Sequence, residues 1–157
     1  RHPAAAEDLV LILDGILDPQ NLGALIRTAH CFGANGIVIP ARRASPVTAA
    51  AVKASAGAAL YTPVAIEENL VRTVEMLKRR GFWVYGADAS ASPRIGATEL
   101  CGRIALIVGA EGKGIRPLLR NQCDVLVSIP MMGKIDSLNV SVATGILLFE
   151  ISKQRHI

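Results

Sequence analysis

Residues 136–150 read DSLNVSVATGILLFE, and the assignment of this stretch decides how the chain ends and what it closes over. Its first half alternates polar and apolar residues through Ser137, Leu138, Asn139, Val140, Ser141 and Val142, the period of a strand. Its second half, with Ile146, Leu147, Phe149 and Glu150 leading to Lys153, reads as a helix. On the helical reading, Asp136 or Ser137 is the cap, and Asn139 and Ser141 are first-turn polar residues.

Outward from that stretch, aliphatic runs alternate with helical patterns. LVLILDG (9–15), GIVIP (36–40), FWVYGAD, GRIALIVG and VLVSIPM read as strands, and YTPVAI as a further short one. Asp18 is placed to cap a helix whose first position is Pro19; Leu22, Leu25, Ile26, Ala29 and Phe32 form its apolar face and Gly33 ends it. SPVTAAAVKASAGAAL repeats the cap-then-proline start, NLVRTVEMLKRRG is amphipathic, and GIRPLLRNQCD is a short helix. About six strands and five or six helices result. Strands made of Val, Ile and Leu runs, separated by helices, indicate an α/β fold with a mostly parallel sheet flanked by helices.

The 157 residues fit one domain, and 51% hydrophobic against 19% charged residues supplies a core, aliphatic because aromatics are 4%. Apolar runs are interrupted before they reach the length of a membrane span, and no metal-ligand spacing is visible. Residues 1–8 read as a linker or trimmed N-terminus and 9–157 as the one folded domain. Cys31, Cys101 and Cys123 form no CxxC pair, so reduced, mostly buried thiols in a cytoplasmic protein are expected. The net charge of +4 permits a polyanionic partner without demonstrating one.

In an open parallel sheet, ligands bind at the carboxyl ends of the strands. Three polar clusters follow strand ends: LDPQNLGALIRTA, GAEGKG (109–114) and IPMMGKIDSLN. GAEGKG is neither a dinucleotide fingerprint nor a Walker loop, because Gly follows Lys113 where Ser or Thr is required. It is either a tight turn or a site of close backbone approach to a ligand, with Glu111 a charge in a loop after an apolar strand. Arg27 either lays its stem over the helix with its head in water, or binds a phosphate or oxyanion.

Taken in order, NLGALIRTA, GAEGKG and IPMMGKIDSLNVSVATG resemble the three signature motifs of the SpoU/TrmH family of RNA ribose 2′-O-methyltransferases. The resemblance runs from about Leu9 to Arg155 and is closest to the branch that methylates a guanosine of bacterial 23S ribosomal RNA. It implies a C-terminal deep trefoil knot, S-adenosylmethionine as cofactor, an RNA partner and a homodimer with the active site near the dimer interface. No metal and no membrane are implied. Carried over by position, Arg27 is the catalytic arginine, with Asn21, Glu111, Ser137 and Asn139 at the active site. Gly109, Ile129, Met131 and Leu138 correspond to cofactor-binding positions. Leu138 would then face the adenosyl pocket while Ser137 and Asn139 face the reacting groups, the segment starting as knotted loop and becoming helix.

Arg42, Arg43, Lys113, Arg116 and Lys134, near these loops, are the candidate RNA contacts. Ribosomal RNA is favoured over transfer RNA. Two other classes fit less well: a non-catalytic cofactor- or RNA-binding module, which has no need of all five active-site residues, and an ordinary nucleotide-binding enzyme, which should carry a phosphate fingerprint.

Overall fold

The computed structural model describes residues 7–156; most of the segment expected to be a linker, 1–8, lies outside it. Six strands, β1 (Leu9–Asp14), β2 (Gly36–Pro40), β3 (Val64–Glu67), β4 (Trp83–Ala87), β5 (Ile104–Gly109) and β6 (Val125–Val127), form one sheet in the order β3-β2-β1-β5-β4-β6. All five strand pairings are parallel. The five helices are α1 (Pro19–Cys31), α2 (Ala49–Ala54), α3 (Leu70–Arg79), α4 (Pro117–Arg120) and α5 (Val140–His156). The aliphatic runs are explained by this architecture, because each central strand is covered on both faces.

Two apolar clusters flank the sheet. Leu22, Leu25 and Ile26 of α1 and Leu147, Leu148 and Ile151 of α5 join Leu11, Leu13 and Leu106 on one face. Leu70, Val74 and Leu77 of α3 and Leu119 of α4 join Ile12, Ala105 and Ile107 on the other. Register then fixes the site: Leu9 pairs with Ile104 and the ladder runs to Asp14 opposite Gly109. The residue that ends β1 therefore lies beside the glycine that opens the GAEGKG loop.

Asp18 caps α1 as expected, its Oδ1 accepting from Gln20 N at 2.7 Å, with Pro19 in the first turn. Two other starts differ from the sequence reading. The helix after β2 is capped by Thr48, whose Oγ1 accepts from Ala51 N at 3.3 Å; it does not start at the Ser45–Pro46 pair, and it ends at Ala54. Ser45 is instead buried, its N–H donating to Ile16 O. The last helix is capped by Asn139, whose Oδ1 accepts from Ser141 N at 2.9 Å and from Val142 N at 3.4 Å. Asp136 and Ser137 belong to the preceding loop, and the alternation seen in the sequence is not a strand.

The cysteines also differ from expectation. Cys31 and Cys101 are exposed and only Cys123 is partly buried, all three unpaired. Cys31 falls on the outer side of the last turn of α1, where helical phase takes it away from Ile26 and Ala29. Burial pushes the Cys123 thiol up to about 11, so it is inert as a nucleophile at neutral pH.

Candidate functional site

A cleft of about 500 Å³ opens at the carboxyl edge of β4, β5 and β6 and is closed on one side by α5. Its walls come from 87–90 after β4, 108–115 through the GAEGKG loop, Arg120 at the end of α4, 127–129 and Met131 at the end of β6, and 136–138 before α5. Val108, Val127, Ile129, Leu138 and Leu147 make much of it apolar, while Asp88, Glu111, Lys113, Asp136 and Ser137 supply polar groups.

The GAEGKG loop is shaped by its own backbone. Gly114 N donates to Ala110 O at 2.8 Å, folding the loop on itself. A Cβ at Gly109 would collide with the backbone of Gly114 and Ile115, so glycine is required there by the loop's own closure. Gly112 and Gly114 have φ of 80° and 68°, which no branched side chain adopts cheaply. Asp14 ties both ends of this loop: its carbonyl accepts from Ala110 N at 3.1 Å, and its Oδ2 accepts from Arg116 N at 2.9 Å. Arg116 also donates Nε and Nη2 to Asp14 Oδ1, each at 2.8 Å. The Asp14 side chain is wholly out of water, so its charge is compensated by Arg116 rather than by solvent. Sequence reasoning missed Asp14; an Asp ending an otherwise aliphatic strand was the available signal.

Of the residues named from sequence, Gly109, Ile129, Met131 and Leu138 line the cleft, as do Glu111 and Ser137. Asn21 and Asn139 stand together beside it: Asn139 Nδ2 donates to Asn21 Oδ1 at 3.3 Å, across 118 residues of sequence. The first and third clusters are thereby in contact. Asn139 uses its Oδ1 on the α5 N-terminus, so one side chain caps the helix and orients Asn21. Arg27 does not line the cleft; it is exposed on α1, between buried Ile26 and Ala29 on the neighbouring faces. Arg42, Arg43, Lys113 and Lys134 are exposed on the loops after β2, β5 and β6, whereas the Arg116 guanidinium is committed to Asp14. Asp88, which sequence reading did not single out, holds Arg120 in the cleft wall at 2.7 Å. Its carboxyl is held below the ordinary carboxylate range, chiefly by the Ser90 hydroxyl and further by Ser90 N and Arg120.

Among the described residues no helix is long and apolar enough to cross a membrane, and no cluster of three or more His, Cys, Asp or Glu is spaced to hold a metal ion.

Comparison with known proteins places the sequence and the fold. The SpoU rRNA Methylase family matches residues 8–149. A 23S rRNA (guanosine-2'-O-)-methyltransferase of Pseudomonas putida is 46% identical over 149 residues, 95% of this chain and 60% of that protein. The chain thus spans about 60% of the length of that relative. Among solved structures, the SpoU methyltransferase AviRb from Streptomyces viridochromogenes in complex with AdoMet superposes with a TM-score of 0.89 at 26% identity, covering 98% of this chain and 62% of AviRb. An AdoMet-bound rRNA methyltransferase from Sinorhizobium meliloti gives 0.87 at 31% identity, covering 98% and 58% respectively.

Proposed function

Because the chain belongs to the SpoU rRNA methylase family, we propose that it transfers a methyl group from S-adenosylmethionine to a ribose 2′-hydroxyl of RNA in the cytoplasm, with a guanosine of 23S ribosomal RNA as the favoured target. The observation that carries this reading is the Asn21–Asn139 contact at the lip of the cleft, which gathers polar groups from opposite ends of the chain beside an apolar-walled cavity. The name of the Pseudomonas putida relative favours ribosomal over transfer RNA.

The cleft fits an adenosyl group: it is about 500 Å³, opens at the carboxyl edge of parallel strands, and combines apolar walls with a glycine loop. When bound, the cofactor supplies an electrophilic methyl on a sulfonium leaving group. Ile129, Met131 and Leu138 would hold it, with the Gly109 backbone in the wall beside them. Ser137, Asn139 and Asn21 orient the ribose, and Glu111 faces the polar end of the same cleft. Arg27 stabilises the negative charge that develops on the 2′-oxygen. A guanidinium holds its proton throughout the working pH range of proteins and is poorly suited to be the base, so water or an RNA phosphate takes the proton. Arg42, Arg43, Lys113 and Lys134 contact the RNA backbone. Arg116 serves the loop through Asp14 instead.

Two further features belong to this reading. The active species is a homodimer in which Arg27 reaches the cleft of the second copy; its position on α1, away from its own cleft, supports this. So does the exposed apolar stripe of α5, Val142, Ile146 and Phe149. The C-terminal segment is knotted. In support, the connection 88–103 is pinned to β6 through Ser128 N on Pro93 O and Ile95 N on Ser128 O, each 2.9 Å. It is also pinned to α5 through Gln154 Nε2 on Thr98 O at 3.0 Å.

Transfer of labelled methyl to unmodified bacterial ribosomal RNA and transfer RNA, offered separately, tests the function. Label is expected on a ribose of the ribosomal RNA. Arg27→Ala is expected to cut turnover by about 10²–10³-fold with cofactor affinity little changed. Strong loss of cofactor binding in that variant would remove Arg27 from this role, and label in transfer RNA alone would move the substrate.

A further inference from the structure

One cation in the cleft wall has its direction fixed by its neighbours and no part in the reaction above. Arg120 ends α4 and donates Nε to Asp88 Oδ2 at 2.7 Å. The other oxygen of that carboxylate is already occupied: Asp88 Oδ1 accepts from Ser90 N at 2.8 Å and Ser90 Oγ at 2.6 Å. Asp88 thus accepts three hydrogen bonds, and its side chain is 18% exposed against 44% for Arg120. Both Nη nitrogens of Arg120 donate to no group among the described residues. Asp88 therefore holds the guanidinium by its inner edge and leaves the outer fork free.

The surroundings narrow what the fork receives. Arg120, Asp88 and Ser90 line the same cleft as Ala87, Val127 and Ile129, so the unpaired Nη donors belong to the wall of a cavity with apolar neighbours. Lys113, the other cation in the wall, is an exposed loop side chain with no partner that fixes it. Arg116 is turned to Asp14. A fixed guanidinium with two parallel donors matches a planar carboxylate in bidentate geometry. The cofactor of the preceding section carries one carboxylate, at its amino-acid end.

We propose that Arg120, aimed by Asp88, is the subsite for the α-carboxylate of the bound S-adenosylmethionine. This rests on the cofactor reading above and adds to it a residue that selects the intact amino-acid tail. Asp88 is a positioning residue and does not touch the ligand.

The test compares two ligands that differ only at the group in question. Calorimetric titration of the chain with S-adenosylmethionine and with its decarboxylated analogue should show a preference of roughly tenfold to a hundredfold for the carboxylated form. Arg120→Gln should abolish that preference by weakening only the carboxylated ligand, with decarboxylated affinity unchanged. Arg120→Lys should restore part of the preference, which a purely structural pair would not do. Thermal unfolding without ligand checks that each variant is folded. Equal losses for the two ligands in Arg120→Gln, or an undiminished preference, would overturn the assignment while leaving the cofactor reading intact. A preference that disappears in Lys113→Gln instead would move the subsite to that lysine. A wild-type chain that binds neither ligand would overturn the cofactor reading and the subsite with it.

Discussion

Asp14 shows how a single side chain can set the shape of a site it does not line. It is the last residue of β1, its carboxylate is out of water, and it accepts the backbone and the guanidinium of Arg116 across 102 residues. An asparagine there would keep one acceptor for Arg116 N but lose the charge that matches the guanidinium. Since the Arg116 side chain is about half exposed, water would recover part of the loss. Asp14→Asn should therefore cost about 1–3 kcal/mol, towards the lower end, read as a lowered urea midpoint. Cofactor affinity should fall as well, because both ends of the 110–116 loop lose their anchor. An unchanged midpoint would show that the pair contributes nothing net. Gly109 illustrates the complementary case. Its lack of a side chain is demanded by Gly114 and Ile115, so the residue read as a cofactor contact has a purely internal reason to be glycine as well.

At the scale of elements, what was legible in the sequence is what depends on local spacing. The aliphatic runs at 9–14, 36–40 and 104–109 became parallel strands because burial on both faces leaves no room for alternation. Asp18 with Pro19 announced α1 because capping is satisfied within two residues. The start of α5 was misleading from spacing alone. Three polar residues in four, Asp136, Ser137 and Asn139, all cap helices well, and only the fold shows that Asn139 does so. Ser45–Pro46 failed as a cap for a similar reason: Ser45 Oγ donates to Pro46 O rather than accepting from a helix N–H, and the chain turns again, Thr48 N on Pro46 O, before the helix starts. Long-range pairings were invisible to spacing. Asn21 and Asn139 were assigned to one site only through the family resemblance, their contact was not foreseen, and the Asp14–Arg116 and Asp88–Arg120 pairs were not foreseen at all. Nothing in local sequence brings residues 14 and 116 together except the β1–β5 register. The close packing of α1 on α2 was also hidden: a Cβ at Gly23 would lie 2.5 Å from Ala51 O and from the Ala54 methyl.

At the scale of the whole molecule, the knot and the dimer are each open to a direct measurement. A chain held at its two ends and unfolded by force extends by roughly 3.3–3.6 Å per residue when it is free of entanglement. If the segment after β6 passes through the connection 88–103, the tightened knot withholds residues and the extended chain falls short; full extension would show the path is open. The dimer argument starts from α5. Val142 is 51%, Ile146 38% and Phe149 56% exposed, at helical spacings of four and three. Phe149 also meets Phe32 edge-on at 6.4 Å, which carries the apolar face across to the end of α1. A contiguous apolar surface on a helix that already buries its other face against the sheet is best covered by a second copy. The same helix pair carries Arg27, so this interface would also deliver the arginine to the neighbouring cleft. Phe149→Glu places a charge in the middle of the stripe. In sedimentation at micromolar concentration the wild-type chain should run at twice 16.6 kDa and the variant at 16.6 kDa. Methyl transfer should be lost with the dimer while the isolated protomer still binds cofactor, because the cleft walls all come from one chain. A variant that stays dimeric would place the interface elsewhere, and a monomer that keeps full activity would require Arg27 to act on its own cleft.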